Sequence, residues 1–64
     1  GNTRGKLKEQ FEGVHRDLDW AIKHCAEALL LIKDQHPALT KAVKSLATGL
    51  QTLDDLAQDV YSKI

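Results

Sequence analysis

The stretch Asp34-Gln35-His36-Pro37 interrupts two long runs of regularly spaced apolar residues. Proline fits the first turn of a helix but not its interior, and it disfavours the helical conformation in the residue before it. We therefore expect one helix to end near Asp34 and a second to begin at Pro37 or Ala38, with Asp34 or His36 as the N-cap. So short a connection makes the two helices antiparallel neighbours.

Apolar residues on both sides of this turn recur at alternating steps of four and three. This spacing keeps one stripe of a helix facing a partner, and it differs from the period of two that strands require. The sequence therefore predicts an all-α fold, an antiparallel two-helix hairpin with heptad-patterned, coiled-coil-like packing. The stripe before the turn consists of Leu7, Phe11, Val14, Leu18, Ala21, Cys25, Ala28 and Ile32. The stripe after the turn consists of Leu39, Val43, Leu46, Leu50, Leu53, Ala57, Val60 and Ile64.

The two stripes also predict how the helices pair. Facing residues of an antiparallel hairpin have numbers that add to a constant. When the midpoint of the pairing lies inside the turn, between residues 35 and 36, each stripe residue of the first helix faces a stripe residue of the second. The pairs run from Leu7 with Ile64 to Ile32 with Leu39. A break of the first helix at Gly13, which would give three helices, is the alternative, because glycine weakens a helix interior.

We expect the chain to divide into a short tail and one domain. The disordered N-terminal tail covers residues 1–5, and a single helical hairpin domain covers residues 6–64. Within the domain, helix one is expected at about 6–34, the turn at 34–37 and helix two at about 37–64.

The charges are balanced in number but unevenly placed. The chain has 9 basic and 9 acidic side chains, and this neutrality argues against a nucleic-acid-binding protein, which needs a basic surface. Bases crowd the start of helix one and acids crowd the end of helix two, so the hairpin sets opposite charges side by side, with His15 beside Asp54. We interpret these charges as solvated groups that help to set the register. They are Arg4, Lys6 and Lys8, and Asp54, Asp55 and Asp59.

Side chains suited to catalysis or metal binding are present but not grouped. His24 and Cys25 point to different faces of a helix, and no His-x-x-x-His or Cys-x-x-Cys pair brings ligands together. Ser45 and Ser62 lack a His and an Asp at a sensible spacing. We expect no enzymatic activity, no metal, no cofactor and no small-molecule substrate. Cys25 is expected to be a small buried hydrophobe in a reducing intracellular compartment, the cytoplasm being the simplest choice.

The chain has more apolar surface than a seam between two helices can bury. Hydrophobic residues make up 42% of it, and the consecutive residues 29–32 cannot all face one neighbour, because each helical step turns about 100°. Helix two also presents an uncharged stripe of small residues, along which another helix could approach closely. We expect contact with a partner protein through Trp20, Ile22, Leu29, Leu31, Ala42, Gly49 and Leu56.

This surplus indicates a non-enzymatic interaction or oligomerisation module, part of a larger intracellular protein, that packs on itself or on a partner helix. Self-packing would give a four-helix bundle by dimerisation. Two alternatives stay open. One is an adaptor or regulatory domain recognised by a globular signalling protein such as a small GTPase. The other is a segment that perturbs membranes through the leucines near the turn, although no apolar run approaches the ~20 residues of a spanning helix and no basic amphipathic face accompanies them.

Overall fold

A computed structural model describes all residues 1–64 of the chain. It contains two α-helices, α1 over Thr3–Ile32 and α2 over Pro37–Ser62, and no strand. The helices pack against each other along their length in an elongated antiparallel hairpin, with Cα extents of 54 × 16 × 10 Å. The predicted all-α two-helix hairpin is confirmed.

The first helix begins earlier than the sequence predicted. Three of the five residues assigned to the tail 1–5 are helical, because Asn2 acts as the N-cap and its Oδ1 accepts a hydrogen bond from the Gly5 amide at 3.1 Å. Such a cap satisfies one of the amides that the first helical turn leaves unpaired. Gly5 makes room for it, since a Cβ at that position would collide with the Asn2 side chain.

The helix also ends earlier, at Ile32 rather than at Asp34. Lys33 takes the left-handed conformation that commonly terminates helices (φ 53°), and its amide donates to a carbonyl of the last turn at 3.3 Å. Asp34 is left-handed as well (φ 59°). Two consecutive left-handed residues reverse the chain, so the turn lies slightly before the predicted range 34–37.

The second helix begins at Pro37, as predicted, and His36 occupies the N-cap position without a capping side-chain hydrogen bond. It ends at Ser62, two residues before the predicted limit at 64. The possible break at Gly13 is absent, because α1 is one continuous helix through that residue. A Cβ at Gly13 would meet only Arg16 Nη2 at 3.4 Å, so no tight packing requires a glycine there.

The seam, meaning the side of each helix that faces the other, is rotated by one position from the predicted stripes. The predicted positions that recur every seventh residue from Phe11 and from Val43 are confirmed, because all of them are buried or half-buried, and the predicted stripe residues Ala21 and Ala28 are half-buried as well. The prediction was wrong for the large residues Leu7, Val14, Leu39, Leu46, Leu53 and Val60, which are exposed. The residues that follow these six in the chain, and those that follow Ala21 and Ala28, occupy the seam positions instead. They are Lys8, His15, Ile22 and Leu29 in α1, and Thr40, Ala47, Asp54 and Tyr61 in α2.

The rotation has a physical reason in the width of the apolar stripes. Each helix has apolar residues at about three positions of every seven, whereas one helix–helix seam buries two, so the apolar pattern alone allows more than one pairing. Two cross-helix contacts accompany the observed pairing: His15 Nδ1 lies 2.7 Å from Asp54 Oδ1, and the Lys8 ammonium lies 5.5 Å from the centre of the Tyr61 ring. The midpoint between the two residue numbers of each pair lies one residue earlier in the chain than the predicted midpoint. This agrees with a turn that also lies earlier than predicted.

Candidate functional site

An apolar face lies on one side of the hairpin. In an antiparallel pair, residues that directly precede equivalent seam residues lie on the same side of both helices. The predicted stripe residues that lie outside the observed seam therefore form one row on each helix, and the two rows are neighbours on that side. The exposed leucines there include Leu46 at 57% and Leu53 at 53%. We define the apolar face as Leu7, Val14, Ala21 and Ala28 of α1 and Leu39, Leu46, Leu53 and Val60 of α2.

Four of the residues predicted to contact a partner border this face. Leu31 is the most exposed large hydrophobic residue, at 81%, and lies on the outer side of α1 near the turn. Ala42, Gly49 and Leu56 are spaced seven apart along the outer side of α2, and all three are exposed. Apart from the local backbone of its own helix and its two chain neighbours, nothing lies within 4 Å of the place where a Gly49 Cβ would stand. These four residues, the outer edge, widen the apolar face on both sides.

The other three predicted contact residues lie elsewhere. Ile22 and Leu29 are half-buried in the seam, where they face α2 rather than solvent. Trp20 lies on the side of α1 opposite the seam, away from the apolar face, and is exposed. Its ring is 6.3 Å from the His24 ring at an interplanar angle of 37°, and the Lys23 ammonium lies 5.5 Å from its centre. The structure therefore does not bring these three residues together with the outer edge.

The opposite face of the hairpin is polar. Lys23 and Asp19 form an i,i+4 ion pair at 2.9 Å, and the Gln51 amide donates to Asp55 at 3.2 Å. Near the turn, an open depression on this side has no hydrophobic residue in its lining, which Asp34, Pro37, Thr40, Lys41, Lys44, Ser45 and Thr48 form. The hairpin as a whole is thus amphipathic, with its apolar and polar sides separated by the plane that contains the two helices.

A polar cluster lies in the seam near the chain ends, and sequence reasoning missed its centre. Asp54, predicted to be solvated, is the most buried residue of the chain at 3% exposure. One carboxylate oxygen is bonded to His15, and the other accepts from Gln58 Nε2 at 2.9 Å. The position of His15 beside Asp54 was the signal available in the sequence, and that pairing is confirmed.

Next to this cluster, Tyr61 bridges the two helices. Its hydroxyl donates to Glu12 Oε1 at 3.1 Å. The hydrogen bond to Glu12, burial and the nearby Glu12 charge all raise the pKa of Tyr61 above its ordinary value of about 10. Together with Phe11 and Ala57, these groups line a cleft of about 220 Å³. Because its polar groups bond mainly to one another, the cluster holds the helices in register.

Groups for metal chemistry are not assembled on this scaffold. No three His, Cys, Asp or Glu side chains lie close enough together to hold a metal ion. Cys25, the single cysteine, is free and buried in the seam.

Neither helix combines the length and the apolar character that crossing a bilayer demands. Comparisons of the chain with protein-family models, with curated proteins and with solved structures find no match.

Proposed function

We propose that this chain is a non-enzymatic helical interaction module that binds protein through its apolar face. The observation that carries the proposal is the collection of exposed leucines and valines on one side of the hairpin, while the other side, apart from Leu30, is mainly charged and polar. Soluble monomers rarely expose contiguous apolar patches larger than a few hundred Å², and larger ones typically mark interaction sites.

The pattern of side chains favours a helical partner surface. A helix that contributes to a bundle of four buries about three positions of every seven, and a hairpin seam accounts for two of them. The rows of the apolar face supply the third. Gly49 and Ala42 at the outer edge would let another helix approach closely, as small residues do at helix–helix contacts.

Binding through this face is tested with a pair of leucine variants matched in exposure and substitution. Leu56→Asp places a charge on the outer edge, whereas Leu30→Asp places the same charge on the polar side, where Leu30 is 68% exposed. Wild type and both variants are immobilised and exposed to cell extract and, separately, to purified untagged chain. Retained proteins are identified and the binding is rebuilt from purified components.

The expected result is at least one purified partner that binds wild type and Leu30→Asp with similar affinity. Its affinity for Leu56→Asp should be at least about tenfold lower, because a charge buried at an apolar contact is left unpaired. If every rebuilt complex tolerates both variants equally, or none can be rebuilt, the apolar face is not a protein-binding surface and the proposal is wrong.

A further inference from the structure

We infer that the occupant of the apolar face is a second copy of this chain, stacked face to face to form a four-helix bundle. The inference rests on the proposed function and specifies its partner. It is supported by the exposed area, by the charge of the face and by the sizes of its side chains.

The accessible surface of the hairpin is larger than that of a compact monomer of the same mass. The difference is similar to the area that each partner buries in a stable dimer. Its accessible surface is 5021 Å², whereas a folded monomer of 7.1 kDa exposes roughly 4,100 Å². Its radius of gyration is 15.2 Å, against about 11 Å for a compact chain of this length. The excess of roughly 900 Å² is close to the ~800 Å² that each partner contributes to a standard stable interface.

The charge of the face suits an equally neutral partner. None of the eight residues of the apolar face is charged, and the whole chain has a net charge of zero, so two copies meet without repulsion. A strongly acidic or basic partner, or an anionic lipid surface, would find no complementary charge on this face. A second copy has the same sequence and therefore presents the same uncharged face. In a two-fold symmetric contact, the same patch of each copy forms the interface.

The side-chain sizes on the face are self-complementary. Toward the turn, the α2 row carries the large residues Leu39 and Leu46, whereas the α1 row carries the small residues Ala21 and Ala28. In the half near the turn, the face therefore has a ridge along α2 and a groove along α1. When a second copy is turned about the long axis of the hairpin, its ridge lies over the groove of the first, and both turns lie at the same end. Ridges packed into grooves are the general mode of helix association.

The test is sedimentation equilibrium of the purified chain across the micromolar range, with three variants. Wild type and the control Leu30→Asp are expected to shift from 7.1 kDa to twice that mass with the same midpoint. Leu46→Asp is expected to weaken the dimer at least about tenfold, because its charge would be buried in the contact. Circular dichroism at a dilution at which wild type is also monomeric checks that Leu46→Asp keeps its helices.

The third variant separates a specific dimer from general stickiness. Ala21→Leu adds apolar surface to the face but fills the groove. A specific ridge-in-groove contact is then overpacked and should weaken about fivefold or more, whereas non-specific association would strengthen. Stronger association of Ala21→Leu would overturn the inferred stacking.

Two outcomes distinguish this inference from the proposed function. A wild-type chain that stays at 7.1 kDa at every concentration, yet binds another purified protein in a manner abolished by Leu56→Asp, overturns the second copy as occupant and leaves the proposed function standing. A wild-type chain that neither self-associates nor shows any such binding overturns both.

Discussion

His15 Nδ1 lies 2.7 Å from Oδ1 of Asp54, and this contact joins a half-exposed ring on α1 to the most buried side chain of the hairpin. A carboxylate in this position is held by few groups, because the second oxygen has only Gln58 as a hydrogen-bond donor. Polar pairs within otherwise apolar seams commonly serve to specify register rather than to add stability. The predicted stripes would pair the helices through apolar residues only. The observed seam is rotated from those stripes and contains the His15–Asp54 contact.

Removing His15 should therefore destabilise the hairpin. His15→Ala leaves the buried Asp54 carboxylate with a single donor, and we expect a loss of about 1–3 kcal/mol in the free energy of unfolding. Urea denaturation followed by circular dichroism measures it. His24→Ala is the control, because His24 makes no such contact, and it should change stability by no more than about 0.5 kcal/mol. Equal losses in the two variants would contradict a register-setting role for the Asp54 contact.

Leucines at two neighbouring levels of the hairpin should respond differently to the same substitution. Leu18 is half-buried in the seam, whereas Leu53 is 53% exposed on the apolar face. At a dilution at which wild type is monomeric, Leu18→Asp should abolish most of the helical signal, because it buries an unpaired charge. Leu53→Asp should retain that signal and lose only association. A comparable loss of helicity in both would show that the seam follows the predicted stripes after all.

The left-handed turn offers a stabilising substitution. Lys33 has a φ of 53°, a conformation that costs a residue with a Cβ roughly 1–2 kcal/mol and costs glycine almost nothing. Since glycine also has more freedom to lose on folding, Lys33→Gly should raise the free energy of unfolding by about 0.5–1 kcal/mol. Lys41→Gly, within α2, should lower it by about 1 kcal/mol. Thermal denaturation of both variants distinguishes these opposite signs.

The two interior glycines separate helix propensity from partner contact. Neither has a close neighbour that a Cβ would displace, so Gly13→Ala and Gly49→Ala should each stabilise the monomeric hairpin by about 0.5–1 kcal/mol. Gly13 lies on the side of α1 away from the apolar face, whereas Gly49 lies at the outer edge. Sedimentation should therefore show weaker association for Gly49→Ala alone. Unchanged association in both variants would remove Gly49 from the contact.

Tyr61 gives the hairpin a dependence on alkaline pH. Its folded pKa is raised above about 10, mainly by the hydrogen bond to Glu12. A group whose folded pKa is higher than its unfolded pKa contributes stability that is fully present below the unfolded value and is lost as pH rises through the folded value. Stability should therefore fall above pH 10, and tyrosinate absorbance should report the single tyrosine. Glu12→Gln should lower the Tyr61 pKa toward 10, and no change in it would contradict this assignment.

The amino-acid sequence by itself determined the two helices, the turn between them and the antiparallel pairing. Pro37 restricts where a helix can begin, and apolar spacing of three and four residues selects helix over strand, so both features depend on local chemistry alone. The same local chemistry explains the two errors at the first helix. The Asn2 cap and the left-handed Lys33 move its ends by a few residues, which is the usual uncertainty of helix boundaries.

Only the tertiary structure decided which side of each helix faces the other. Three apolar positions in seven are more than one seam can bury, and the observed pairing exposes Leu46 and Leu53 while it places Asp54 in the seam, so burial of apolar area does not by itself account for the choice. The choice depends on where the chain reverses and on long-range polar contacts such as His15 with Asp54, which do not show in the spacing of apolar residues. That choice turned Leu46 and Leu53 from predicted core residues into the apolar face, and it placed Ile22 and Leu29 in the seam.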